Sequence, residues 1–135
     1  MTTRRGIILV DHGSRLAESN RLVEAVAAAL QQKFAPELEI VEPAHMELAE
    51  PSIATAFDRC VNQGATEVVV LPYFLGPGKH WTTDIPALSA AAAQKHPGVP
   101  FQVAPTLGLD DLMLDLLYKR LGSSCSSGTT ARGGS

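Results

Sequence analysis

Cysteine is scarce in this chain: 135 residues contain two, Cys60 and Cys125. They are far apart and lack CxxC or Cys/His ligand spacing, so neither a disulfide framework nor a zinc knuckle is supported. Cys60 falls on a helical apolar pattern and reads as core, and Cys125 as tail. Long apolar runs are also missing. Nothing approaches the roughly 18 residues needed to cross a bilayer, and MTTRR leads straight into a strand-like segment with no signal-peptide core. The expectation is a cytoplasmic protein with no membrane partner. Basic charge is short as well: 11 Lys and Arg against 14 Asp and Glu leave a net charge of -3. This excludes a broad cationic surface for nucleic acid, so an anionic ligand must be met by local donors. What is present, 45% hydrophobic and 19% charged residues, fits one globular domain with a proper core.

Strand-like and helix-like segments alternate. GIILVD (6–11) is a short β-branched run buried on both faces. From Leu16, the residues Leu16, Leu22, Val23, Val26, Ala27 and Leu30 follow a helical period, with Ser14 as the expected N-cap and an end before Pro36. LEIVEPAHM (38–46) reads as a second strand, broken or ended at Pro43, with His45 and Glu47 in the loop that follows. Pro51 to Val61 is helical through Ile53, Ala56, Phe57 and Cys60, with Pro51 in its first turn. EVVVLPYFL (67–75) is the clearest strand, GPGKHW (76–81) a turn, and 83–95 a helix stopped by His96-Pro97-Gly98. PFQVAPT (100–106) is the fourth strand. Residues 109–121 are expected to close the domain as an amphipathic helix, with Leu112, Leu116, Leu117 and Leu121 toward the core. The domain is thus 1–121, and 122–135, rich in Ser and Gly, reads as a disordered low-complexity tail. Alternation of this kind implies right-handed crossovers and a four-stranded parallel sheet with helices on both faces, an α/β architecture.

In an open parallel sheet, ligands collect beyond the carboxyl ends of the strands. His12 follows the first strand, Glu47 the second and His80 the third, so all three belong to one edge. An imidazole placed there has a rigid strand behind it and a cleft in front, as a metal ligand or general base requires. Gly13 and Ser14 can offer backbone N–H groups and a hydroxyl to an anion, Gly76 and Gly78 permit close approach of a flat ligand, and Arg15 and Lys79 add positive charge. Each residue also has a plain structural explanation. A lone loop histidine is often only hydrogen-bonded, and GPGK can be a simple turn. His45 could stand in for either histidine as a ligand, and His96 reads as a solvated helix terminus. Neither GxxxxGK[ST] nor GxGxxG is present, so a phosphate-cradling loop is poorly supported.

The segments ILVDHGSR, ELAEPSI and YFLGPGKHWTTDIP, in this order and spacing, resemble the small class II tetrapyrrole chelatases, which insert a divalent metal into sirohydrochlorin. The likeness covers residues 6–121. It implies that His12 is metal ligand and proton acceptor, that His80 is the second ligand, and that Glu47 assists metal handling or proton removal. It implies further that Leu75, Gly76, Pro77, Gly78 and Lys79 contact the macrocycle; Ser14 and Arg15, by their donor chemistry, are the further candidates for binding its carboxylates. The family fold is a flavodoxin-like three-layer sandwich. The chain has the length of the short form, for which a full cleft implies a homodimer. No permanently bound cofactor is implied; Fe2+, Co2+ or Ni2+ is substrate, and sirohydrochlorin is the partner. One tail cysteine cannot supply the four thiolates of an iron–sulfur cluster.

The chemistry agrees with the residue types. Insertion strips water from the ion, deforms the macrocycle and removes two pyrrole protons. Neutral imidazoles suit Fe2+, Co2+ and Ni2+ and titrate, unperturbed, at about 6.5. Two rival readings use the same residues: a metal-delivery module without catalysis, and a phosphate-handling enzyme with His12 as nucleophile and Arg15 as clamp. The second lacks an RHG motif and a second arginine at a strand end. Siroheme and cobalamin biosynthesis both remain open, because imidazole and carboxylate ligands do not select among the three metals.

Overall fold

The computed structural model describes residues 2–123, with 79–81 described through the backbone alone. Eight elements alternate: β1 (Arg5–Asp11), α1 (Ala17–Lys33), β2 (Ile40–His45), α2 (Ile53–Asn62), β3 (Glu67–Pro72), α3 (Lys79–Ala93), β4 (Phe101–Val103) and α4 (Asp111–Gly122). The strands form one sheet in the order β2-β1-β3-β4, and every pairing is parallel. The order reverses at β1, the kind of position where a crevice opens beyond the strand ends.

Alternation along β1 divides the core. Ile8 and Val10 pack with Ile40, Ala44, Ile53, Phe57, Val68 and Ile85 on the face covered by α2 and α3. Ile7 and Leu9 pack with Val41 and with Val23 and Ala27 of α1 on the other face. Gly6 marks the closest approach of β1 to α2: a Cβ there would lie 2.8 Å from the Cys60 Cβ. Cys60 is fully buried, as its helical spacing predicts, and burial pushes its thiol pKa up to about 12. Among the described residues, no helix is long and apolar enough to cross a membrane.

Several element boundaries differ from the sequence expectation. Pro43 lies inside β2 and does not break it, because β2 is an edge strand and a residue there can turn its nitrogen away from the ladder. His45 is the last residue of that strand and not part of a loop. The cap of α2 is Ser52, whose hydroxyl accepts from Thr55 N at 3.1 Å, so Pro51 precedes the helix. The cap of α1 is Leu16, not Ser14, and both Leu16 and Leu22 are exposed; only Val23 and Ala27 of the expected stripe are fully buried. The third helix starts at Lys79, four residues earlier than its alanine-rich body suggested. The fourth strand shrinks to three residues.

The largest departure is α4. Its Asp110 cap is in place, accepting from Leu112 N at 2.9 Å, yet none of its residues is buried and none joins either core cluster. Leu112, Leu116, Leu117 and Leu121 are exposed and do not face the core. Cys125 and the remainder of the expected tail lie outside the described residues.

Candidate functional site

β1 and β2 stay paired beyond their ends. Met46 N donates to Asp11 O at 2.8 Å and Glu47 N to His12 O at 3.1 Å, so two main-chain bonds still join the segments past the last ladder pair. That main-chain register carries the side chains together: His12 Nε2 lies 3.3 Å from Glu47 Oε2, with the two side chains 48% and 53% exposed. An exposed pair of this kind contributes little to stability. The other ring nitrogen of His12, Nδ1, lies 3.3 Å from Gly13 O.

The loop that follows explains the glycine after His12. Gly13 has φ +96, and any Cβ there would overlap the Glu47 carbonyl oxygen. Only glycine lets the two chains cross at this point. The loop is then clamped from α1: Asn20 accepts from Ser14 N at 2.9 Å and donates to Ser14 O at 2.7 Å. Ser14 Oγ accepts from Leu16 N at 3.0 Å. The Ser14 N–H that the sequence seemed to offer to an anion is therefore already taken. Arg15 is exposed on the adjoining turn. Leu48, directly after Glu47, sits in the left-handed region at φ 72, a strained conformation of the sort that gathers near sites.

The loop after β3 is equally tied down. Tyr73 N donates to Val10 O at 2.7 Å, Leu107 N to Phe74 O at 2.9 Å and Gly108 N to Leu75 O at 2.7 Å. Leu75 is 71% exposed, and the space where a Gly76 side chain would stand is open. Gly78 is the N-cap of α3, which puts the backbones of Lys79 and His80 in the first helical turn, at the same edge of the sheet as His12. The side chains of Lys79 and His80 are outside the described ones.

Beyond the ends of β3 and β4 lies a cavity of about 430 Å3, lined by Pro72, Pro77, Thr82, Ile85, Pro86, Val103, Ala104, Pro105 and Thr106. None of these residues is charged, and the volume falls in the range of small-molecule sites. Pro77 was singled out from sequence and lines it; Ser14, Arg15, Leu75 and Gly76 do not. Thr82, Ile85 and Pro86 fall in the motif segment 73–86, whereas 103–106 belongs to no candidate site segment of the sequence. The same rule of carboxyl ends, applied to the fourth strand, points to 103–106.

The other two histidines are structural in position. His45 is fully buried, with Nδ1 2.7 Å from Asp11 Oδ1. His96 is not a solvated terminus: Nε2 lies 2.7 Å from Asp58 Oδ1, and the ring stacks on Phe57 at 5.6 Å. Among the described residues, no three His, Cys, Asp or Glu side chains cluster so as to hold a metal ion. His12 and Glu47 offer two donors and leave other coordination positions to an incoming ligand.

Against known proteins, the CbiX family profile matches residues 6–124. The chain belongs to the CbiX family. This CbiX chain is 52% identical over 116 residues to the chloroplastic sirohydrochlorin ferrochelatase of Arabidopsis thaliana, covering 86% of the chain and 51% of that relative. It is 33% identical to the sirohydrochlorin cobaltochelatase of Methanosarcina acetivorans, over 90% of the chain and 97% of the relative. Its fold superposes on Bacillus subtilis SirB with Fe3+ at a TM-score of 0.81 and 29% identity, covering 90% of the chain and 47% of SirB. The CbiX chain thus spans about half the length of the Arabidopsis and Bacillus relatives. The α/β sandwich that the alternating pattern predicts is the fold of these neighbours.

Proposed function

We propose that this CbiX chain catalyses the insertion of a divalent metal ion, Fe2+, Co2+ or Ni2+, into sirohydrochlorin. The observation that carries the reading is the contact of His12 Nε2 with Glu47 Oε2 at 3.3 Å on the carboxyl edge of the sheet, the edge that also holds an uncharged cavity beyond β3 and β4. The relatives named as sirohydrochlorin ferrochelatase and cobaltochelatase support the substrate and the reaction, as do the SirB structures with Fe3+ and with cobalt.

In this reaction a hydrated cation exchanges water for His12 and His80, which need only supply neutral nitrogen. The apolar walls and exposed Leu75 receive the flat macrocycle, while Arg15 and Lys79 meet its carboxylates. The two pyrrole protons pass to Glu47 and to His12 as it leaves the ion, and each ring nitrogen that loses its proton replaces a protein ligand. Held by main chain on two sides, the His12–Glu47 pair needs no reorganisation as the metal moves.

The working unit of the proposal is a homodimer. α4 presents Leu112, Leu117, Tyr118 and Leu121 to solvent, a contiguous apolar surface of the kind that marks an interface. On the sheet face beside α1, an unfilled groove of about 280 Å3 is lined by Ile7, Leu30, Phe34, Leu38 and Leu71 among others. A helix without a groove and a groove without a helix, in one chain, suit reciprocal packing by a second copy.

The experiment is an insertion assay with sirohydrochlorin and each of Fe2+, Co2+ and Ni2+, followed by absorbance. The reading predicts acceleration over metal and macrocycle alone. Metal binding without acceleration would mean a carrier.

A further inference from the structure

Beneath the His12–Glu47 pair lies a second pair that the proposed reaction does not use. His45 is fully buried, and its Nδ1 stands 2.7 Å from Asp11 Oδ1. That distance is a hydrogen bond between the ring nitrogen and the carboxyl group. The other ring nitrogen, Nε2, is buried without a partner among the described residues. An apolar side chain would fill this strand end without an orphaned nitrogen, so packing alone does not account for an imidazole.

Position in the chain does account for it. Asp11 is the residue before His12, and His45 comes two residues before Glu47. Asp11 and His45 are the last register partners of β1 and β2, and the two main-chain bonds beyond the ladder, Met46 N to Asp11 O and Glu47 N to His12 O, follow directly after them. The His45 Cβ also lies 3.2 Å from where a Gly13 Cβ would be, directly under the crossing that orients His12. The side-chain bond therefore closes the strand ends at the point where the backbone ladder would otherwise fray.

We propose that Asp11 and His45 are positioning residues, whose bond fixes the carboxyl ends of β1 and β2 so that His12 and Glu47 present one preformed site to the metal. The inference rests on the reading of His12 and Glu47 as the metal-handling pair. Outer partners of this kind commonly change metal affinity or activity 10- to 100-fold when removed.

The test compares His45→Leu, which removes the ring nitrogen, with His45→Asn, whose amide nitrogen can take the place of Nδ1. Three readouts are taken on the full chain: thermal unfolding, kcat and KM for Co2+ insertion into sirohydrochlorin, and the visible spectrum of the chain with Co2+ alone. We expect His45→Leu to lose roughly ten-fold or more in kcat, with KM for the macrocycle little changed and the Co2+ bands shifted, and His45→Asn to recover much of both. A folded His45→Leu chain with unchanged kcat and unchanged Co2+ bands would overturn the proposal, and so would equal losses in both variants with unchanged bands. Should His45→Leu fail to fold, Asp11→Ala removes the carboxyl group at the half-buried end of the pair and carries the same expectations. A native chain that binds Co2+ but inserts none defeats the chelatase reading, while the Co2+ bands still decide the positioning role. A native chain that binds no Co2+ defeats both.

Discussion

Glu47 grips His12 twice, donating its backbone N–H to the His12 carbonyl at 3.1 Å and setting a carboxylate oxygen 3.3 Å from Nε2 of the same residue. The main-chain bond is independent of the side chain. Glu47→Gln should therefore preserve the crossing of the two chains and remove only the charge and the proton acceptor. We expect normal folding and a fall in kcat of about 100-fold, the scale of a lost general base. Steady-state insertion kinetics beside a melting curve check this. A kcat within two-fold of the native chain would transfer the proton-accepting role to another group.

Gly13→Ala should fail for a different reason. The substitution puts a side chain at φ +96 and into the Glu47 carbonyl oxygen. Left-handed strain alone costs about 1–3 kcal/mol, and the overlap forces His12 and Glu47 apart. A lowered Tm together with lost insertion is the expected result; normal values of both would mean that the crossing tolerates a side chain.

Much of this site can be read in the sequence, and the reasons that some of it cannot are physical. His12 and Glu47 follow from strand order alone, because a parallel sheet sends every strand end to one edge. Their contact does not follow, since it depends on two main-chain bonds formed past the ends of the paired strands. Asn20 was invisible: a polar residue within a helix reads as a solvated face until Ser14 is found bonded to both ends of its amide. Pro43 reads as a strand breaker and so puts His45 in a loop, a rule that relaxes on an edge strand. The leucines of α4 follow the period of a core-facing helix, but periodicity identifies an apolar face and not what covers it.

That uncovered face makes its own prediction. Leu117→Glu leaves the single chain's core untouched, since Leu117 is 60% exposed and lies outside both clusters. If α4 packs on a second copy, the substitution should weaken association by about 2 kcal/mol or more, as at an interface hot spot. Native mass as a function of concentration measures this. A native chain that is monomeric at all concentrations would contradict the dimer.

Glu50 gives a pH-dependent expectation. Its carboxylate accepts from Thr55 Oγ1 at 2.9 Å and from Ser52 N at 3.0 Å, and these bonds, that from Thr55 foremost, hold its pKa below the usual 4.5. A carboxylate depressed on folding stabilises the chain above its unfolded pKa and loses that effect as pH falls through the folded value. Glu50→Gln should lower Tm at pH 7, and the difference should shrink as pH drops below about 4.5. An equal difference at pH 7 and pH 3 would show that the charge is not responsible.

Cys60 should be chemically silent in the native chain. With its thiol pushed up to about 12, ionisation at pH 8 is roughly one part in ten thousand, and the thiolate is the nucleophile. In a Cys125→Ser background, thiol labelling should be slow in buffer and rapid in urea. Rapid labelling of the folded chain would mean that the contact of Gly6 with Cys60 opens readily.

The most direct measurement is the rate of Co2+ insertion into sirohydrochlorin by His12→Ala beside the native chain, at matched folding and concentration. If the imidazole at the end of β1 handles the metal, the variant falls to the rate of cobalt and macrocycle without protein. Insertion at the native rate by His12→Ala would contradict that role.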